Sequence, residues 1–421
     1  MTAEVAINIA KYGKLLSELP FSAGDAPRII FRSDSRCYMT AKDADMSDIH
    51  PEDIVDVTDH DQTQLLAATA LMKSKELTAM ILCEPPYTEI CIESHHEIPA
   101  VLDDMAQIVG PSVRIVPTDE ERIVKALTKA TSVMVENSCL IAGGRTLYEA
   151  YTAVQIIEKS AETILKAQVI GGVKPLSARL SGYMHHKFQK SYSKEEVVLQ
   201  KADENGDAEA EITEAVDGAA ADKNNDSELY SEREQRLREE LVEYGNRLVE
   251  TGLVQGTWGN ISVMLDRETM LCTPSGLDYD RLRPEDMVRV NIKNLKADGL
   301  HKPTSEKGMH AGIYRKYPNT NAVIHTHSKY CSIFAACEMP LQIESKEKME
   351  TLGEIIGVSK YALAGTGFIT RNAIKAIKDT PGCILAHHGM IAKGESLEDA
   401  FENVKLIEEA AREYINSRWE K

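Results

Sequence analysis

His325 and His327 stand one residue apart in the run AVIHTHS, between apolar neighbours. If that run is a strand, residues two apart project from one face. The two imidazoles then lie side by side, as two ligands of one metal ion must. A second pair, His387 and His388, ends the apolar run GCILA and precedes Gly389, and either can supply a third imidazole. Glu306 in KPTSEKG opens a helical pattern upstream and offers a carboxylate, as a fourth ligand or as a proton-transfer base.

Small polar turns accompany these groups in order. They are GTWGNIS with Gly259 and Asn260, TPSG with Ser275 and Gly276, and PTSE with Thr304 and Ser305. Hydroxyls, an amide and backbone N–H groups exposed by glycine can grip a phosphate without a lysine.

The elements that must position these residues are legible from periodicity. REQRLREELVEYGNRLVETGLV has helical spacing and ends at a glycine-rich turn. NISVMLD and TMLCTPSG read as strands joined by a turn, TSEKGMHAGIYRKY as a helix, and AVIHTHS as a strand. The chain closes on a long amphipathic helix, with Ser396 at its cap and Asp399 in its first turn. Strands and helices alternate irregularly, which predicts an α/β sandwich rather than a strict parallel array.

The first half repeats this plan. MTAKDADMSDIHPEDIVDV (39–57) aligns with CTPSGLDYDRLRPEDMVRV (272–290), AMILCEPPY with AVIHTHSKY, and SCLIAGGRTLYEAY with HGMIAKGESLEDAF. Three anchors in one order indicate a duplication. In the first copy Leu82 and Glu84 replace the strand histidines, Ser138 faces His388, Thr63 faces Glu306, and Lys42 and Asp43 replace Ser275 and Gly276. The expected organisation is a copy without metal ligands over 1–200, an acidic disordered linker over 201–228, and a catalytic copy over 229–421. His185 and His186, in a basic polar stretch, read as a surface pair.

Composition bounds the partners. A net charge of −18 over 421 residues argues against nucleic acid as the main partner. No apolar run approaches a membrane span, and the first residues lack the pattern of an export signal. The eight cysteines form no CxxC pair and sit mostly in apolar runs, which predicts buried reduced thiols and a cytoplasmic setting.

The ordered set Gly-Asn-Ile-Ser, Thr-Pro-Ser-Gly, Ser-Glu, His-Thr-His and His-Gly resembles the class II aldolase/adducin family over about residues 230–421. That resemblance implies a three-layer αβα sandwich with a mostly antiparallel central sheet, here in two copies. It matches His325, His327 and His388 to three zinc-binding histidines, and Glu306 to the catalytic glutamate. It places Asn260, Ser275, Gly276, Thr304 and Ser305 on the phosphate-binding turns. The implied activity is a lyase that cleaves a ketose 1-phosphate, similar to fuculose 1-phosphate, to dihydroxyacetone phosphate and an aldehyde. One Zn2+ per chain would act as Lewis acid beside the ketose carbonyl. Sister branches are pentulose-phosphate 4-epimerases, a sugar-phosphate dehydratase and the adducin-like non-catalytic scaffold. The epimerases resemble this chain in the histidines but carry Asp where Glu306 stands, which favours the aldolase. The family's downstream tyrosine falls at Glu344 here, a departure. Members form cyclic oligomers, so the resemblance also implies a homo-oligomer with active sites at interfaces.

Overall fold

The computed structural model describes residues 1–21, 27–58, 66–74, 76–192 and 230–419. The linker expected at 201–228 and the position Thr63 lie outside the described residues. The chain divides into two compact units, one built on Met1–Glu162 with Pro175–Lys223, the other on Thr163–Lys174 with Asn224–Lys421.

The first unit holds strands β1 (Arg28–Ser33), β2 (Arg36–Thr40), β3 (Ile54–Asp56), β4 (Ala79–Cys83), β5 (Ile98–Pro99), β6 (Ser112–Val116), β7 (Ser132–Val135) and β8 (Leu140–Gly144). They form one sheet in the order β3-β2-β1-β4-β8-β7-β6-β5. Every pairing is antiparallel except β6 with β7. The second unit holds β9 (Gly259–Met264), β10 (Thr269–Cys272), β11 (Val288–Asn291), β12 (Ala297–Asp298), β13 (Ala322–Thr326), β14 (Leu341–Gln342), β15 (Ile355–Ile356), β16 (Gly382–Leu385) and β17 (Gly389–Gly394). Its main sheet runs β12-β11-β10-β9-β13-β17-β16, and β14 pairs with β15 apart from it. The run β3-β2-β1-β4-β8-β7 thus recurs as β11-β10-β9-β13-β17-β16.

In the second unit the helices Lys307–Lys316 and Gly367–Ile377 cover one face of the sheet. Met309, Ile313, Tyr314, Ile369, Ala373 and Ile377 pack there on Val323, Ile391, Cys383 and Leu385. The closing helix Leu397–Trp419 lies on β13 and β17 from the other side, together with Lys329–Cys337 and Glu232–Glu250. The expected helix–sheet–helix sandwich is present, with its sheet mostly antiparallel.

Local devices repeat in both units. Glu408 of the closing helix accepts from the N–H groups of Tyr330 and Cys331 and from Ser328 Oγ, and so caps the helix after β13. Glu158 does the same for Tyr87, Thr88 and the Thr88 hydroxyl after β4. A carboxylate at a helix N-terminus satisfies donors that have no partner within the helix. Gly394 and Gly144 each lie against the start of the following helix, where an added Cβ would come 2.3 Å from the backbone N of Ala400 or Ala150.

Candidate metal centre

β13 is buried along its whole length, and its alternation puts Val323 and His325 on the face covered by Lys307–Lys316. His325 is fully buried. Its Nδ1 lies 2.7 Å from the carbonyl of Met390 on the neighbouring β17. A carbonyl only accepts, so Nδ1 carries a proton and Nε2 is the nitrogen turned toward Glu306. His388 arrives from the turn between β16 and β17, closed by its own N–H to the carbonyl of Leu385. The His325 and His388 rings stack at 4.9 Å and 3°. The His327 ring meets them edge-on at 4.8 and 4.6 Å.

One potential ligand atom from each of the three histidines falls within 4.8 Å of the others, the only such group of His, Cys, Asp or Glu among the described residues. His387 stays out of this cluster. It occupies the left-handed position of the turn, at φ 58°, and its Nε2 lies 3.4 Å from Glu338 Oε1. Asn137 holds the matching place in the first unit, at φ 54°, with Ser138 after it.

Glu306 stands at the cap position of Lys307–Lys316 and is buried. Its Oε2 lies 3.1 Å from His325 Nε2 and its Oε1 3.1 Å from His388 Nε2. Burial is the largest influence on this carboxyl and pushes its pKa up. The opposing charges of His325 and His388, with hydrogen bonds from His388 and Asn260, outweigh it and hold the pKa well below the usual carboxylate range. A lone pair facing a carboxylate oxygen at 3.1 Å is repulsive unless a proton or a cation lies between them. Three nitrogen donors and one buried carboxylate therefore suit a divalent ion.

The polar turns meet beside Glu306. The backbone N–H of Ser275 donates to the carbonyl of Lys302, and that of Thr304 to the carbonyl of Thr273, so TPSG and PTSE run side by side. Thr304 Oγ1 accepts from the backbone N of Glu306. Gly276 has φ 79°, with open space where a Cβ would stand, and Ser305 is exposed. Asn260 pairs with His325 across β9 and β13, and its Nδ2 donates to Glu306 Oε2 at 3.0 Å. The five phosphate candidates thus lie in adjoining segments, although Asn260 and Thr304 also bond to Glu306.

Elsewhere the sequence reading is adjusted. Glu344 is exposed and forms a two-pronged ion pair with Arg418 at the end of the closing helix. His185 is no surface residue: its ring lies half-buried on the helix Ala178–Lys187, bonded to the carbonyl of Gln107 and to Gln189, whereas His186 is exposed. In the first unit Leu82 pairs with Arg28 where His325 pairs with Asn260, and Lys42 and Asp43 are exposed. All eight cysteines are free thiols, and seven of them are buried.

Sequence reasoning missed four residues. Trp258, in the glycine-rich turn, stands 5.5 Å from the His327 ring. His310, Ser262 and Tyr314 lie behind Asn260 in an unbroken hydrogen-bonded row. The signal for two of them was available: Glu306, His310 and Tyr314 recur every four residues on one helix face.

The family described as Class II Aldolase and Adducin N-terminal domain matches residues 8–165 and again 239–415. The chain belongs to that family, carries its domain twice, and is an enzyme of the metal-dependent aldolase type. A 5-deoxy-D-ribulose 1-phosphate aldolase from Bacillus thuringiensis is 34% identical over 185 residues, covering 44% of this chain and 86% of the relative. A 5-methylthioribulose-1-phosphate/5-deoxyribulose-1-phosphate aldolase from Rhodospirillum rubrum is 35% identical over 178 residues, covering 42% and 80%. An L-fuculose 1-phosphate aldolase of known structure is 35% identical with a TM-score of 0.42, covering 43% of this chain and 86% of its own. No helix among the described residues is long and apolar enough to cross a membrane.

Proposed function

We propose that the second copy is a zinc-dependent lyase that cleaves a ketose 1-phosphate to dihydroxyacetone phosphate and an aldehyde. The observation that carries this reading is the convergence of His325, His327 and His388 on one another, with His325 and His388 against the buried Glu306 carboxylate. The relatives named as 5-deoxyribulose-1-phosphate aldolases support a five-carbon ketose 1-phosphate as the substrate class. When bound, Zn2+ would polarise the ketose carbonyl and the neighbouring hydroxyl as a Lewis acid.

Cleavage breaks the bond between C3 and C4. The C4 hydroxyl gives its proton to solvent as the aldehyde carbonyl forms, and the electron pair left on C3 takes up one drawn from solvent by way of Glu306, so that no proton is gained or lost overall. Glu306 moves the proton at C3, held in place by its contacts with His325, His388 and Asn260. Ser275, Gly276, Thr304, Ser305 and the second N–H of Asn260 would hold the phosphate. Binding energy spent there fixes C3 against Glu306.

On this reading residues 229–421 form the catalytic copy and 1–200 a copy with the fold but not the ligands, the protein acting as a cytoplasmic homo-oligomer. The test is incubation of the zinc-loaded protein with 5-deoxyribulose 1-phosphate and fuculose 1-phosphate, with dihydroxyacetone phosphate as readout. Its release supports the proposal. A product epimerised at C4, with no dihydroxyacetone phosphate from any ketose 1-phosphate, would replace the lyase by the epimerase, an activity named for a 30%-identical relative from Salmonella typhi.

A further inference from the structure

Behind the candidate metal centre runs a chain of buried polar groups whose direction can be deduced. Asn260 Nδ2 lies 3.0 Å from Glu306 Oε2, and a carboxylate only accepts, so the amide nitrogen faces Glu306. The amide oxygen then faces His310 Nε2 at 2.5 Å, which must carry the ring proton. His310 Nδ1 is left as an acceptor, and Ser262 Oγ donates to it at 2.6 Å. The Tyr314 hydroxyl in turn donates to Ser262 Oγ at 2.7 Å. Every donor points toward Glu306. His310 and Ser262 are fully buried. Burial pushes the His310 imidazole down to about 3, so the ring is neutral at ordinary pH and a single tautomer suffices.

The fold does not require this row. In the first unit β1 takes the place of β9, so Arg28 stands for Asn260 and Ile30 for Ser262. The helices Leu66–Lys73 and Lys307–Lys316 end at the same distance before β4 and β13, so Ala67 stands for His310 and Leu71 for Tyr314. Ile30, Ala67 and Leu71 are buried in one apolar cluster. The copy that lacks the metal ligands has replaced the polar row with ordinary core. Apolar side chains are commonly as stabilising as a buried polar network, or more so, so retention of the row beside the histidines follows the site and not the fold.

We propose that His310 is a positioning residue for Glu306: its Nε2–H fixes the Asn260 amide, and the amide in turn fixes the carboxylate against His325 and His388. This rests on the lyase reading above. It also gives Asn260 a divided role, one N–H on Glu306 and one left for a substrate oxygen.

The experiment compares wild type, His310→Leu and His310→Gln in the full-length zinc-loaded chain, measuring kcat, KM for the ketose 1-phosphate and zinc content. Removal of an outer partner of a metal site costs about 10–100-fold, and that loss is expected in kcat for His310→Leu, with KM and zinc content within about threefold of wild type. His310→Gln, whose side-chain N–H can replace Nε2–H, is expected to recover at least half of the loss on a logarithmic scale. Wild-type kcat in His310→Leu, a change confined to KM, or a Gln variant no better than Leu would each overturn the proposal. An inactive wild type would count against the lyase reading instead. In that case, or if His310→Leu does not fold, 15N NMR of wild-type His310 decides. Protonated Nε2 with unprotonated Nδ1 from pH 5 to 8 supports the row, and the opposite tautomer overturns it.

Discussion

Glu306→Gln separates a proton-moving carboxylate from a fourth metal ligand. The carboxylate stands 3.1 Å from both His325 Nε2 and His388 Nε2 and accepts from Asn260 Nδ2 at 3.0 Å. Glutamine keeps the shape and one acceptor oxygen, so the three imidazoles keep their places. It cannot release or take up a proton at C3, and general acid–base catalysis contributes about 10²–10⁴-fold. At about 1.4 kcal/mol per tenfold, the barrier should rise by about 3–5 kcal/mol. Steady-state kinetics and metal analysis of the same preparation read both parts. The expected result is a kcat lowered by at least about 100-fold with zinc content near that of wild type. Wild-type kcat would refute the proton role, and loss of zinc along with activity would make Glu306 a ligand.

Two further substitutions test the frame that holds the site. Glu408→Gln removes the charge that caps the helix after β13, and hydrogen bonds to charged groups are worth about 1.5–3 kcal/mol each. With other acceptors retained, a loss of about 1–2 kcal/mol is expected in urea unfolding. The chain's two tryptophans, Trp258 and Trp419, both lie in the second copy, so their fluorescence reports the affected unit. An unchanged midpoint would show that the cap carries no stability. Gly394→Ala would place a Cβ 2.3 Å from the backbone N of Ala400. Overpacking of this kind costs about 1–3 kcal/mol, seen by the same probe, and a neutral outcome would contradict the close approach of β17 and the closing helix.

The candidate site was legible because few residue types can hold a metal and strand alternation fixes their direction. His325 and His327 needed only a period of two, and Glu306 only a helix start. The duplication was legible because the apolar anchors kept their order while Leu82, Glu84 and Ser138 lost the ligands. His310 was not legible: a histidine inside a helical pattern has no face until the helix is docked on β9. Its row with Ser262 and Tyr314 exists only through strand–helix packing. The surface reading of His185 failed similarly, since its partners Gln107 and Gln189 include one brought in from 78 residues away. The parallel pairing of β6 with β7 depends on a crossover that no local periodicity encodes.

The proposed function requires one metal centre, built by His325, His327 and His388 in the second copy only. Metal analysis of the purified chain, together with His325→Ala, tests it most directly. About one zinc per chain, lost in His325→Ala along with activity, is the predicted result. Two zinc ions per chain, or one that survives in His325→Ala with full activity, would contradict it.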